Sequence, residues 1–325
     1  MELPFGLTWE DISRTVGDVD GDRLSKCRAV ERYELQGLRD RSRSVVMSLT
    51  YPTFDGATNI DVFVKRSPAS SREADRHAQL DAAGVPVSRL LFDVEASDGD
   101  HVLGFEFLDT IGIDFDSSKE ITELLTLMAT LNAVPASALG GSPNAPPGRP
   151  ETEFTATVER ALMTVQSTGL LRWAALEVSE WLDLYENATR WATSMPAAVI
   201  HGEFYFQQVG RAAGGSLVIF DLATVGVGPR FSDLCSLARG LGHHTDRDET
   251  EVLRIYLDAL RAGGVATPTV VDGLDELRRL RVLHCFQSMP WLSGRHHDPE
   301  LGPTALEQNV ETLRSDLAHL GIVGP

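Results

Sequence analysis

The stretch from residue 197 to 224 constrains this chain more than any other. Two short apolar runs, AAVI (197–200) and SLVIF (216–220), are each followed by a carboxylate: Glu203 soon after the first, Asp221 directly after the second. Runs of four or five apolar residues bounded by glycines and polar turn formers read as short strands. Acidic groups at strand ends, with glycines following, stand where a cleft can use them.

Around that stretch the patterning divides in two. RSVVMSLTY (43–51) and NIDVFVKR (59–66) are rich in β-branched residues and are separated by the turn-forming PTFDGAT, which predicts an antiparallel hairpin. SREADRHAQLDAAG predicts a helix over 71–83, with Ser71 to cap it, Leu80 and several alanines as its apolar stripe, and Gly84 to stop it. Residues 85–94 and 101–109 return to strand, and KEITELLTLMATLNAV (119–134) is helical in period. The Gly/Pro-rich stretch 140–150 reads as a surface loop, because helical patterning resumes on both sides. Helices follow over 153–193, then the strand-and-turn unit, then mostly helices to the end. The expected fold is therefore α+β, with a small β-rich lobe over 1–108 and a larger, mainly helical lobe over 109–325.

Composition narrows the class. With 325 residues and 42% hydrophobic, the chain can fill the cores of two lobes. Its apolar runs fall far short of the roughly 20 residues that span a bilayer. The opening MELPFGLTWEDISRTVG has early acids and no sustained apolar region, so the expectation is a cytoplasmic protein without a secretory signal. Cys27, Cys235 and Cys285 are too scattered for a disulfide framework or a metal knuckle and read as buried free thiols. The net charge of -18 disfavours nucleic acid as a partner. It divides as -6 over residues 1–108 and -12 over 109–325, in proportion to length, so it marks general solubility rather than a cationic substrate. Only Lys26, Lys65 and Lys119 are lysines, against 26 arginines, which makes a retained lysine a candidate for chemical need.

The segment 197–241 resembles the aminoglycoside and choline kinase group, which has a protein-kinase-like fold. That group reads H-G-D-x-x-x-x-N, then apolar-I-D-W/F, then G-D-P-x-x-D-L-A. Here stand His201, Gly202, Glu203 and Gln208; then Ile219, Phe220 and Asp221; then Gly228, Pro229, Asp233 and Leu234. The resemblance implies a two-lobed phosphotransferase using ATP (or GTP) and Mg²⁺. It gives Glu203 the catalytic role of orienting the acceptor hydroxyl and taking its proton, and it makes Asp221 and Gln208 the metal ligands. Asp233 resembles the buried aspartate that steadies the catalytic loop through backbone N–H groups, and His201 looks structural. Glu203 replaces the more usual Asp with an arm one methylene longer. Gln208 keeps the amide oxygen of Asn with more reach and rotamer freedom.

The first lobe carries the same resemblance. Lys65 ends a strand, Glu73 opens the predicted helix, and together they resemble the ion pair that anchors the α- and β-phosphates. GVPVSRLL resembles the group's G-V-P-V-P-x-V-L strand, and LMATLNAVP (127–135) its L-A-x-L-H-x-V-P, with Asn132 in place of His. Glu106, Phe107 and Leu108 fall where backbone groups read the nucleobase, Glu106 by position only. The resemblance places a phosphate-covering loop near Gly37–Ser44, where QGLRDRSRS has one glycine and reads first as a solvated turn. Adjacent histidines, His243/His244 and His296/His297, diverge on any regular element and lack a completing ligand set, so they read as surface or substrate-facing groups. Leu253, Tyr256, Leu257 and Leu260 share a helical stripe and read as core, whereas Trp291 reads as either a core or a substrate-pocket aromatic.

The function expected from these readings is an O-phosphotransferase acting on a hydroxyl of a small molecule of antibiotic or natural-product type. Two alternatives stand beside it: a Ser/Thr kinase for a ribosomally made precursor peptide, and a nucleotide-binding pseudokinase scaffolding a partner protein in a biosynthetic complex.

Overall fold

The computed structural model describes residues 3–8, 10, 29–33, 44–53, 56–108, 110–139, 151–245, 247–295 and 302–323. The Gly/Pro-rich loop 140–150, residues 37–43 of the expected phosphate loop, Cys27 and His296/His297 lie outside the described residues, as do the side chains of His243 and His244. The chain separates into two compact units, Met1–Leu127 with Tyr205–Val225, and Met128–Phe204 with Gly226–Pro325.

The first unit is built on an antiparallel sheet of β1 (Ala29–Tyr33), β2 (Ser44–Thr53), β3 (Gly56–Ser67), β4 (Leu90–Glu95) and β5 (His101–Glu106), in the order β1-β2-β3-β5-β4. The expected hairpin is present: β2 and β3 pair continuously from Ser44↔Lys65 to Thr53↔Gly56. Alternation along β3 turns Val62 and Val64 into a core with Met47, Leu91, Phe92 and Val102, which leaves Phe63 and Lys65 on the opposite face.

Helix α1 (Glu73–Ala82) follows a 3-10 turn at Ala69–Ser71. Its C-terminus closes with Gly84 N–H on the Asp81 carbonyl and Val85 N–H on that of Leu80, a Schellman arrangement that requires the left-handed φ of 79° at Gly84. The strand expected over 85–94 begins only at Leu90. Pro86 has no N–H to give a ladder. Its carbonyl instead accepts from Ile219 N–H, while Ser88 N–H donates to the Ile219 carbonyl, so Val87 forms a parallel bridge to Ile219.

A second sheet of the same unit joins β6 (Thr110–Ile111), β8 (Val209–Arg211) and β9 (Leu217–Ile219). Its register sets Val209 opposite Ile219, and Phe220 N–H continues the ladder onto the Gln208 carbonyl.

The second unit is mainly helical. Helix α2 (Ser118–Asn132) leads into it, followed by α3 (Glu151–Thr168) and α4 (Val178–Ser194). A short antiparallel pair, β7 (Ala197–Ile200) with β10 (Gly226–Pro229), precedes α5 (Ser232–His244), α6 (Glu249–Ala262), α7 (Val270–Gly294) and α8 (Gly302–His319). Helix α7 is central, with α3 to α6 and α8 all packed on it. Trp181 and Tyr185 of α4 meet Phe286 of α7 edge-on, and Arg281 ties α7 to Glu249 of α6 and Asp316 of α8. The stripe Leu253, Tyr256, Leu257 and Leu260 is buried as expected, as are Cys235 and Cys285. Trp291 is 49% exposed and stacks under the Arg295 guanidinium, so it is not a core residue. Among the described residues no helix is long and apolar enough to cross a membrane.

Candidate active site

Two carboxylates of the first unit converge on one ammonium. The Lys65 Nζ lies 3.1 Å from the Glu73 carboxylate and 2.5 Å from Asp221 Oδ1. Glu73, 2% exposed, stands at the first turn of α1, where its charge suits the helix dipole. It is fixed by the Ser67 hydroxyl at 3.0 Å, and Ser71 Oγ accepts the Glu73 N–H at 3.3 Å. Burial draws the Lys65 ammonium down, but Glu73 and Asp221 outweigh it and hold its pKa above the ordinary 10.5. Lys119 is a solvated side chain on α2, so of the two lysines described only Lys65 has been drawn into such a centre.

Asp221 follows β9 with φ 60° and ψ 59°, a left-handed conformation in a residue other than glycine. Such a conformation costs of order 1–3 kcal/mol and persists only where the surroundings impose it, often at functional sites. Here the imposing elements are β9 before it and the 3-10 turn Leu222–Thr224 after it. The carboxylate remains 42% exposed.

Gln208 lies beside Asp221 through the Phe220 N–H bond to its carbonyl. Its side chain has a local task that sequence reasoning missed: Oε1 accepts the Tyr205 N–H at 3.1 Å, half of a capping box on the 3-10 turn Phe206–Gln208. Glutamine at the third position reaches back to the first N–H, a reach that asparagine lacks. An amide oxygen has two lone pairs, so one remains for a cation.

At the expected nucleobase segment, the Glu106 N–H is committed to the Arg89 carbonyl at 2.9 Å and the Phe107 N–H to that of Asp61 at 3.4 Å. The Glu106 carboxylate takes the Ala213 N–H at 3.2 Å and faces Arg89 Nε at 3.4 Å, tying the end of β5 to the β8–β9 turn. Leu108 is buried. The Glu106 side chain is thus a structural brace, which leaves backbone groups to any base recognition.

Glu203 belongs to the second unit and is exposed. The chain before it is clamped by Asp233, a 2% exposed residue at the start of α5. Its carboxylate accepts the His201 N–H at 2.8 Å, the Gly202 N–H at 3.0 Å and Asn132 Nδ2 at 3.3 Å. Gly202 turns with φ 87°, a value that L side chains rarely adopt, and Glu203 follows it directly. His201 is fully buried, edge-on to Phe204, as a structural residue would be.

The donor set fits a hard cation. Asp221 and Gln208 offer a carboxylate and an amide oxygen, and Mg²⁺ characteristically takes one or two protein oxygens and fills its octahedron with phosphate and water. Among the described residues no group of three or more His, Cys, Asp or Glu side chains gathers that could hold a metal.

The α+β elements, the lysine paired with a buried glutamate and the aspartate-clamped loop define a kinase-like phosphotransferase. The sequence profile described as the phosphotransferase enzyme family (APH) matches residues 54–257, more than half of the chain, and the chain belongs to that family. Its structure is similar to an aminoglycoside phosphotransferase from Alicyclobacillus acidocaldarius, at 14% identity and a TM-score of 0.57 over 94% of this chain and 96% of that one. It is also similar to the choline kinase LicA from Streptococcus pneumoniae, at 14% identity and a TM-score of 0.55 over 89% and 95%. A third is a spectinomycin phosphotransferase in complex with ADP and spectinomycin, at 10% identity and a TM-score of 0.51 over 87% and 88%. At such identities the likeness concerns the fold. No curated protein sequence matches the chain.

Proposed function

We propose that this phosphotransferase moves the γ-phosphate of ATP, or of GTP, to a hydroxyl group on a small molecule of antibiotic or natural-product type. The observation that carries this reading is the Lys65 ammonium held between Glu73 and Asp221. Lys65 and Glu73 have the form of a phosphate anchor, since the ammonium is oriented by a buried carboxylate and remains protonated. The solved phosphotransferase carrying ADP and spectinomycin supports both the nucleotide and the acceptor class.

In this reading residues 1–108 serve the nucleotide and residues 109–325 the catalytic loop and acceptor. The Glu106 carbonyl and the Leu108 N–H read the base edge. Lys65 neutralises phosphate charge, and Asp221 with Gln208 would hold Mg²⁺, which would supply charge neutralisation at the phosphates. Glu203 orients the acceptor O–H and accepts its proton as the oxygen bonds to the γ-phosphorus and the bond to the departing nucleoside diphosphate breaks.

The test compares the parent with Glu203→Gln in transfer of labelled γ-phosphate across a panel of hydroxylated natural products, with ATP binding measured beside it. The expected result is a loss of about 10² to 10⁴ in kcat with nucleotide affinity retained. Equal rates would remove Glu203 from the mechanism. Tight ATP binding with no transfer by the parent to small molecules or Ser/Thr peptides would indicate a pseudokinase scaffold instead.

A further inference from the structure

Tyr256 and Asn132 are two of the second unit's buried polar residues, and neither has a place in the chemistry above. The Tyr256 hydroxyl on α6 lies 2.7 Å from Asn132 Oδ1 at the end of α2 and 3.2 Å from the Arg230 carbonyl. Asn132 Nδ2 donates to the Val199 carbonyl at 2.7 Å and to Asp233 Oδ2 at 3.3 Å. Burial and the neighbouring Asp233 push the Tyr256 phenol pKa up, so the phenol keeps its proton and acts as a donor. Only one orientation of the Asn132 amide satisfies this surrounding. If flipped, its oxygen would face the Val199 carbonyl and the Asp233 carboxylate, acceptor against acceptor, and the phenol would lose its acceptor on Asn132 and keep only the Arg230 carbonyl.

A direction of dependence follows. The phenol donates to the amide oxygen, the amide supplies the third donor to Asp233, and Asp233 holds the His201 and Gly202 N–H groups immediately before Glu203. In a buried network each donor polarises the next, so losing the first weakens the last. We propose that Tyr256 and Asn132 are positioning residues: a buried hydrogen-bond relay that fixes the backbone carrying Glu203 through Asp233. The relay's link to phosphoryl transfer rests on the role given above to Glu203, whereas its link to the loop backbone does not.

An imidazole carries one N–H donor and one acceptor nitrogen, the same polarity that the relay uses at Asn132, whereas leucine matches the shape of asparagine with neither group. The experiment therefore compares Tyr256→Phe, Asn132→Leu and Asn132→His with the parent by amide hydrogen exchange. The peptide spanning 199–204 is followed against control peptides from α3 and α7. Tyr256→Phe and Asn132→Leu should speed exchange at His201 and Gly202 by about three- to tenfold, the equivalent of one lost hydrogen bond, with the controls unmoved, and Asn132→His should stay near the parent. Phosphate release from Mg²⁺·ATP is read alongside, with kcat expected to fall by a similar factor and KM for ATP unchanged. Unchanged exchange in Tyr256→Phe overturns the relay, as does a uniform rise in which the controls accelerate equally, since that marks a purely structural role. Faster loop exchange with unaltered phosphate release supports the relay and counts against Glu203 as the base.

Discussion

Replacing Lys65 by Met keeps most of the side-chain volume and removes the charge between Glu73 and Asp221. The two carboxylates then fare differently. Glu73, 2% exposed, retains the Ser67 hydroxyl as a neutral partner, whereas Asp221, 42% exposed, is solvated. Removing one member of a buried pair costs about 3–5 kcal/mol, and an exposed pair contributes roughly 0–1 kcal/mol. Lys65 itself is 22% exposed, which shifts the expectation toward the lower end, about 2–3 kcal/mol. The double variant Lys65→Met/Glu73→Gln no longer buries an uncompensated charge and should recover about 1–2 kcal/mol of that loss. Urea unfolding followed by far-ultraviolet ellipticity is the suitable assay, because four of the five tryptophans, Trp173, Trp181, Trp191 and Trp291, belong to the second unit and only Trp9 to the first, so fluorescence would report mainly on the second. The pH dependence has a definite sign. The folded-state pKa of Lys65 is raised, so its contribution is full below the ordinary 10.5 and is lost as pH rises through the folded value. The gap between parent and Lys65→Met should be constant from pH 6 to 9 and close in stronger alkali. A loss under about 1 kcal/mol for the single variant, or no recovery in the double, would refute the reasoning.

At the proposed metal site, Asp221→Asn should abolish transfer at ordinary Mg²⁺. Gln208→Asn should preserve or improve transfer while costing about 0.5–1 kcal/mol of stability, because the shorter amide no longer caps the Tyr205 N–H. Magnesium titrations of turnover with thermal melts separate the two effects, and loss of all activity in a folded Gln208→Asn would show a site rebuilt around glutamine. Burial pushes the Cys235 thiol up, and Cys285 is equally enclosed. Peptide mass mapping after thiol labelling should find both unmodified in the native protein and modified in urea, and rapid native labelling of either would contradict their burial.

The parts of the fold legible in the sequence were those in which one local signal decides the outcome. Two β-branched runs around a turn-forming segment placed the β2–β3 hairpin, Gly84 ended α1 where a left-handed residue was needed, and the 3.6-residue stripe put Leu253 to Leu260 in the core. Long-range choices were not legible. Val85 to Val94 reads as one strand by composition, but the missing N–H of Pro86 sends the chain onto Ile219 first, and only the folded partner reveals it. Glu106 was placed by position alone, and the carboxylate proved to serve Ala213 and Arg89. Tyr256 was visible as a core position, but its hydroxyl has a partner more than a hundred residues away in sequence, which no periodicity can show.

The departures from the family pattern share a physical logic. At 208 the glutamine departs from asparagine, yet it is the residue whose length lets it reach the Tyr205 N–H, so the added methylene has a visible use within the loop. At 132 asparagine replaces histidine and still presents an acceptor to Tyr256 and a donor to Asp233, the same pair of functions an imidazole would offer. At 203 glutamate keeps the carboxylate on a longer arm, and the backbone behind it is held by two N–H donors to one buried aspartate. The capping bond from the Tyr205 N–H gives the longer amide of Gln208 a use in the folded loop, and the magnesium dependence of Gln208→Asn decides whether it also serves a cation.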